Sequence, residues 1–347
     1  MLRSRDFGRT FTPREPAEPW AAFNALHVDA LLENEPPRHT RLRRLVAGAF
    51  SRGHVTRLQP RIAALAEQLL TDCAGVLERE GAVDVMAHYA EPLPVLVIAE
   101  LLGWPAEGRH RLRPWSQAIV RMYEVDRSAA DEAAAQQASR EFAAAVDALA
   151  SERSRRPGED LLSDLVAVRE DGDRLSADEL VATAVLLLNA GHEASVNGFG
   201  NGLASLLGSG RAVPAGGTAP LVEEMLRHDS PLQLFERTAS VDVVVEGVRV
   251  RAGERVAALL GAANRDSSVF DEPNEFRPDR RPNPQLGFGA GIHFCVGAPL
   301  ARLELATSIE TLLRRWPRLE LVEAVRRPTF VLRGYERLAL RPIPTLT

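Results

Sequence analysis

One helical stretch, from Ser176 to about Leu207, restricts the fold more than any other part of this sequence. Ser176, followed three residues later by Glu179, forms a capping box in which side chains satisfy the first free N–H groups. A Gly/Pro-rich segment, Gly208 to Pro220, stops the helix. At ~1.5 Å per residue it is roughly 45 Å long, enough to cross a whole domain, so the rest of the chain must pack around it. Its neighbours also read as helices: Arg41 to Phe50, Val55 to Glu80, Pro94 to Leu102, Ala129 to Arg155, Leu161 to Glu170, Leu221 to His228, and about Val296 to Trp316. Val241 to Val250 reads as a hairpin turning at Glu246-Gly247, Arg255 to Leu260 as a further strand, and strands return near the C-terminus. Asp266 to Pro284 is irregular and proline-rich. Helices outnumber strands and do not alternate with them, so the fold class is mainly α with small β-sheets, not a doubly wound sheet. We read residues 1–347 as a single domain, large enough to bury about three-quarters of its unfolded surface.

Charge and cysteine content remove several functions. The net charge is -5, and all 42 basic residues are arginine. A mildly acidic chain with scattered arginines lacks the basic face that nucleic acid requires, so no nucleic-acid partner is expected. Two cysteines, Cys73 and Cys295, exclude a disulfide framework and any four-thiolate site. Met1 to Asp6 runs straight into charged residues, unlike a signal peptide. The longest apolar runs, near Leu93 to Leu102 and Leu180 to Ala190, are shorter than the ~20 residues of a membrane span. A soluble cytoplasmic protein without a membrane partner is the expectation.

The most informative segment is Phe288-Gly289-Ala290-Gly291-Ile292-His293-Phe294-Cys295-Val296-Gly297. As a dinucleotide loop it fails, because Phe294 stands at the third glycine position and no strand of a βαβ unit precedes it. As a buried structural cysteine it would need no such glycines. Glycines on both sides let backbone N–H groups approach the sulfur, and a helix starts just after it, so both effects favour a thiolate. That thiolate could be a nucleophile or a metal ligand.

The pattern Phe-Gly-x-Gly-x-His-x-Cys-x-Gly resembles the haem-ligand signature of the cytochrome P-450 family. The resemblance implies that Cys295 is the thiolate on the iron of haem b (iron protoporphyrin IX), with Phe288 and His293 in the same loop. It extends over nearly the whole chain. Glu224-Met225-Leu226-Arg227 fits the family's Glu-x-x-Arg, and Phe276-Arg277-Pro278-Asp279-Arg280 resembles the segment whose last arginine joins that pair. The family's cations for the haem propionates fall on His39, Arg43, Arg237 and His293.

The resemblance also places an acid-alcohol pair on the long helix, in Ala190-Gly191-His192-Glu193-Ala194-Ser195. Gly191 is expected to give a ligand room, and Glu193 is the acid. The alcohol position is Ala194, and Ser195 lies about 100° further around the axis. Glu193 is therefore expected to work with Ser195, ordered water or a substrate hydroxyl. A His-Glu-x-x-His metal site is excluded because residue 196 is valine.

Bacterial soluble members usually carry several dozen more residues at the start. Here Met1 to Phe7 reads as the next helix, which implies the cytochrome P-450 fold without its usual N-terminal helix and first strands. The activity implied is monooxygenation: one oxygen atom from O2 enters a small organic, secondary-metabolite substrate. Electrons would come from a ferredoxin and its NAD(P)H-linked reductase, meeting arginines such as Arg302, Arg314 and Arg315. The mostly apolar pocket walls are expected in the Phe11 to Leu32 loop, the Arg111 to Arg127 helix, Leu187 to Ala194 and Leu232 to Phe235. The rival readings are a haem-binding protein without turnover and a peroxide-using or oxidative-coupling member. A cysteine hydrolase with His293 as base lacks an orienting acid and an oxyanion motif.

Overall fold

The computed structural model describes residues 1–50, 53–169, 172–214 and 217–343. Among them, α1 (Ala17–Val28), α2 (Arg38–Phe50), α3 (His54–Glu80), α4 (Pro92–Leu101), α5 (Leu112–Val120), α6 (Ala129–Arg155) and α7 (Leu161–Ala167) precede the long helix α8 (Ala177–Ser209). Then come α9 (Thr218–His228), the short α10 (Leu260–Ala263) and α11 (Ala298–Arg315). Helix α7 ends at Ala167, short of the expected Glu170, which itself lies outside the described residues.

Ser176 and Glu179 form the capping box that starts α8, as their spacing predicts. From Leu180 to Leu206 the helix is buried on almost every side, with α4, α5, α6, α9 and α11 packed against it. Its far half is held close by small residues. A Cβ added at Gly200 would sit 2.7 Å from Met86 Sδ, and one added at Gly202 would sit 2.6 Å from Met225 Cβ. In the middle the burial breaks. Ala190 is exposed, and Leu186, Gly191 and Ala194 are half-buried, so this strip faces a cleft.

The sheets are small. Strand β1 (Phe7–Gly8) pairs with β3 (Leu234–Ala239), which pairs with β6 (Arg255–Leu259), all antiparallel. Strand β2 (Val83–Asp84) adds to the β7 (Leu319–Arg326) and β8 (Tyr335–Pro342) hairpin. β4 (Val243–Val245) and β5 (Val248–Val250) form the expected hairpin. Its turn residues Glu246 and Gly247 both have positive φ, at 47° and 82°, matching the right-handed twist of the strands.

Three expectations are corrected. Met1 to Phe7 is a turn entering a strand, not a helix. Ser4 Oγ accepts from the Asp6 amide and donates to its carboxylate, local bonds that compete with helix formation. The Phe11 to Leu32 loop contains α1. Its Pro19 sits in the first turn, where the missing N–H costs nothing, so closely spaced prolines hid the helix. The Arg111 to Arg127 helix is shorter than expected, α5 passing into a tight turn at Arg121–Tyr123.

The irregular 266–284 segment is ordered by a buried ionic cluster. Glu224 and Arg227 on α9 are fully buried, and Arg227 donates Nε and Nη2 to the carboxylate, each at 2.7 Å. Arg280 adds an Nε bond to Glu224 at 3.1 Å, and the Arg277 amide another at 2.7 Å. The remaining guanidinium N–H groups of both arginines donate to carbonyls of Asn264, Pro273, Glu275, Asp271 and Glu272. One carboxylate therefore fixes the backbone leading into the cysteine loop. No helix among the described residues is long and apolar enough to cross a membrane.

Candidate functional site

The cysteine loop is a turn that closes on itself. The Cys295 amide donates to the Phe288 carbonyl at 3.0 Å. Gly289 and Gly291 take φ of 71° and 73°, a left-handed conformation that a side chain would strain. A Cβ at Gly291 would also lie 2.5 Å from the Leu2 carbonyl oxygen, so the first residues of the chain lie against this loop. The N–H groups of Gly297 and Ala298, at the start of α11, reach the Cys295 sulfur. Burial raises the Cys295 thiol pKa nonetheless; those N–H groups and the charges of Arg43 and Arg302 only partly offset it. Coordination to a metal would supply what is missing, since a bound cation deprotonates a thiol outright. Phe288 is buried at the base of the loop, with the Arg302 guanidinium 4.4 Å above its ring.

The four expected cations meet beside this loop. Arg43, on α2, donates to the Phe294 carbonyl at 2.8 Å. His39, one turn earlier, has its ring centroid 4.6 Å from that of His293. Arg237, on β3, lies 5.4 Å over the Phe235 ring and donates to its neighbour's carbonyl, Glu236 O. Burial and the nearby Arg9 push Arg237 down to about 10. His39 is pushed down to about 4 by burial and by the positive neighbours His293 and Arg43. His39 Nε2 is buried without a hydrogen-bond partner among the described residues. The cluster thus favours an added anion. Among the described residues no three His, Cys, Asp or Glu side chains could together hold a bare metal ion. Glu35 already binds His293 Nε2 at 2.7 Å, while a lone thiolate beside Arg43, Arg237 and the unpartnered His39 fits a metal that brings its own equatorial ligands and carboxylates. These residues fit an iron porphyrin.

The acid and the hydroxyl of α8 do not meet. Glu193 accepts from Arg327 Nη1 at 3.1 Å, and Arg327 Nη2 binds Glu91 at 2.7 Å. Arg113, on α5, also binds Glu91, whose carboxyl pKa burial raises. Ser195 instead makes a side-chain hydrogen bond with Glu304 on α11. Two residues along a helix is about 200° of rotation, which sends the two side chains into separate networks. Gly191 is half-buried, and an added Cβ there would lie 3.1 Å from Ile98 Cδ1 on α4. His192 is fully buried beside Ser116 and pushed down to about 4 by burial.

Sequence reasoning missed Glu304 and Arg327. Glu304 is buried among Leu300, Leu305 and Ser308 of α11, and burial pushes its carboxyl up to about 8. The available signal was an acid on the apolar stripe of the last helix. Arg327 had no local signal, since only the tertiary fold brings it to Glu193. Of the expected docking arginines, Arg302 pairs with Glu223 at 2.6 Å and Arg314 with Glu67 at 2.6 Å, while Arg315 is exposed.

Comparison with known proteins gives a consistent pattern. Residues 218–344 match the family described as Cytochrome P450. The cytochrome P450 monooxygenase PikC of Streptomyces venezuelae is 39% identical, over 97% of this chain and 80% of its own length. The polyketide biosynthesis cytochrome P450 PksS of Bacillus subtilis is 38% identical, over 89% of this chain and 77% of its own. Among solved structures, P450BioI in complex with an acyl carrier protein ligated to hexadec-9Z-enoic acid superposes with a TM-score of 0.90 at 34% identity. It covers 98% of this chain and 88% of that one.

Proposed function

The chain belongs to the cytochrome P450 family of haem monooxygenases, and from that premise we propose that it inserts one oxygen atom of O2 into a small secondary-metabolite substrate. The observation that carries this reading is the closed glycine loop around Cys295, with Arg43, Arg237, His39 and His293 gathered beside it. Cys295 Sγ is the proposed iron ligand, and the Arg43 and Arg237 guanidiniums with the His39 and His293 imidazoles would hold the carboxylates of haem b. The family binds haem b, which supplies the iron that activates oxygen, and a thiolate ligand favours O–O cleavage. The N–H groups of Gly297 and Ala298 steady the sulfur and temper its basicity. Electrons come from a separate ferredoxin and its NAD(P)H-linked reductase, with Arg315 available at the surface. We place the protein in the cytoplasm, as one domain. The test is the absorption spectrum of the purified holoenzyme, reduced and exposed to carbon monoxide. A strongly red-shifted Soret band supports the reading; a histidine-type position refutes it.

In place of the Glu193–Ser195 partnership, Glu304 is the proposed proton store. Burial raises its carboxyl pKa to about 8, and it makes a side-chain hydrogen bond with the buried Ser195, one residue along α8 from Ala194. Glu193, tied to Arg327, orients that side of α8. A stability measurement checks the store. Glu304 rises from 4.5 to about 8 on folding, so the folded state binds the extra proton between those values. Stability is full below the lower value, falls as pH rises through the window, and levels off above it. Glu304→Gln should flatten that fall in denaturation midpoints taken across the window. The same slope in the variant would remove Glu304 as the store.

A further inference from the structure

A narrow cavity lies beside the exposed strip of α8, lined by His27, Glu33, Tyr123, Asn189 and apolar neighbours from α1 and α8. It holds about 10 Å³, the room of one water or one small head group. Asn189 is 6% exposed, and its Oδ1 has no hydrogen-bond partner among the described residues. Such an acceptor is costly to bury alone.

The other polar groups here are acceptors too. His27 Nδ1 lies 2.7 Å from the Phe23 carbonyl, which can only accept, so this nitrogen carries the proton. His27 Nε2 must then accept from the Tyr123 hydroxyl at 3.1 Å, which leaves the Tyr123 oxygen with free lone pairs. Burial lowers the His27 pKa and keeps the ring neutral. Burial pushes Glu33 up, but the Arg9 guanidinium outweighs it and holds the carboxyl below its usual range. Arg9 occupies Oε1 of Glu33. Asn189 Oδ1, Tyr123 Oη and the Glu33 carboxylate therefore converge as acceptors.

We infer that this cavity is a substrate subsite that reads a hydrogen-bond donor, a hydroxyl or an ammonium, at the end of the substrate remote from the oxidised carbon. The inference rests on the haem monooxygenase reading, because Asn189 is placed by α8 about 7.5 Å along the axis from Ala194. Preferred substrates carry an apolar body and a donor head group, and a carboxylate head is repelled by Glu33.

N-alkylimidazoles of graded chain length, ending in methyl, hydroxyl, ammonium or carboxylate, test it on the holoenzyme. The ring nitrogen anchors each probe on haem iron, and the Soret shift reports binding. At the matching length, the hydroxyl and ammonium probes should bind about fivefold or more tightly than methyl, with carboxylate weakest. In Asn189→Leu the hydroxyl advantage, taken against methyl in the same variant, should vanish. In Tyr123→Phe, which keeps the ring, it should shrink. Methyl binding as well as hydroxyl at every length overturns the inference, as does an unchanged advantage in both variants. If plain imidazole gives no Soret shift, the haem reading itself fails and takes this inference with it.

Discussion

Cys295→Ser is expected to abolish the red-shifted Soret band of the reduced, carbon monoxide-bound holoenzyme and to take monooxygenation below detection. The change is a single atom, and the loop should survive it. The Cys295 amide bond to Phe288 O, the left-handed glycines and the Arg43 bond to Phe294 O are independent of the sulfur. What is lost is a soft, electron-rich ligand. A serine hydroxyl is a harder donor and a far weaker acid, so it does not replace the thiolate on iron. Haem content measured beside the spectrum separates ligand loss from cofactor loss. A red-shifted band that persists in the serine variant would remove Cys295 from the iron.

The second large effect is on folding. Glu224→Ala leaves Arg227 and Arg280 buried without their shared counter-charge. Removing one partner of a buried ion pair costs about 3–5 kcal/mol. Total stability is roughly 5–15 kcal/mol, so most of the margin would go. The variant should show little soluble protein and a much lower denaturation midpoint. Arg277→Ala is the control. Its side chain pairs with the exposed Glu272 at 3.2 Å, and an exposed pair contributes about 0–1 kcal/mol. Equal stability of the two variants would contradict a supporting role for the cluster.

How much of this was readable in the sequence depends on the range of the interactions involved. The capping box of α8, the hairpin turn and the extent of α6 and α8 follow from neighbours within a few residues, and the structure has them in place. The cysteine loop is equally local. Its four cations come from α2, β3 and the loop itself, and only a family pattern could gather them beforehand. Of the partners expected for Glu193 on α8, Ser195 is set apart from it for a long-range reason. Sequence adjacency joined Glu193 to Ser195, while the fold gave each a partner more than 100 residues away, Arg327 and Glu304. Helix α1 was hidden because its prolines are typical of turns, although Pro19 occupies a position where a helix tolerates it.

The two halves of α8 differ in how they would respond to variation. Beyond Asn197, Gly200 and Gly202 admit Met86 and Met225 so closely that any side chain there displaces a core residue. Such a change would cost about 1–3 kcal/mol of overpacking. At Leu186, Ala190 and Ala194 the helix is exposed or half-buried, and side-chain size at those three positions can change with less disturbance of the core. In a mutational library, gains in substrate range should accumulate in the first half, and losses of expression in the second. One helix thus divides into a segment that can be engineered and a segment that must be left alone.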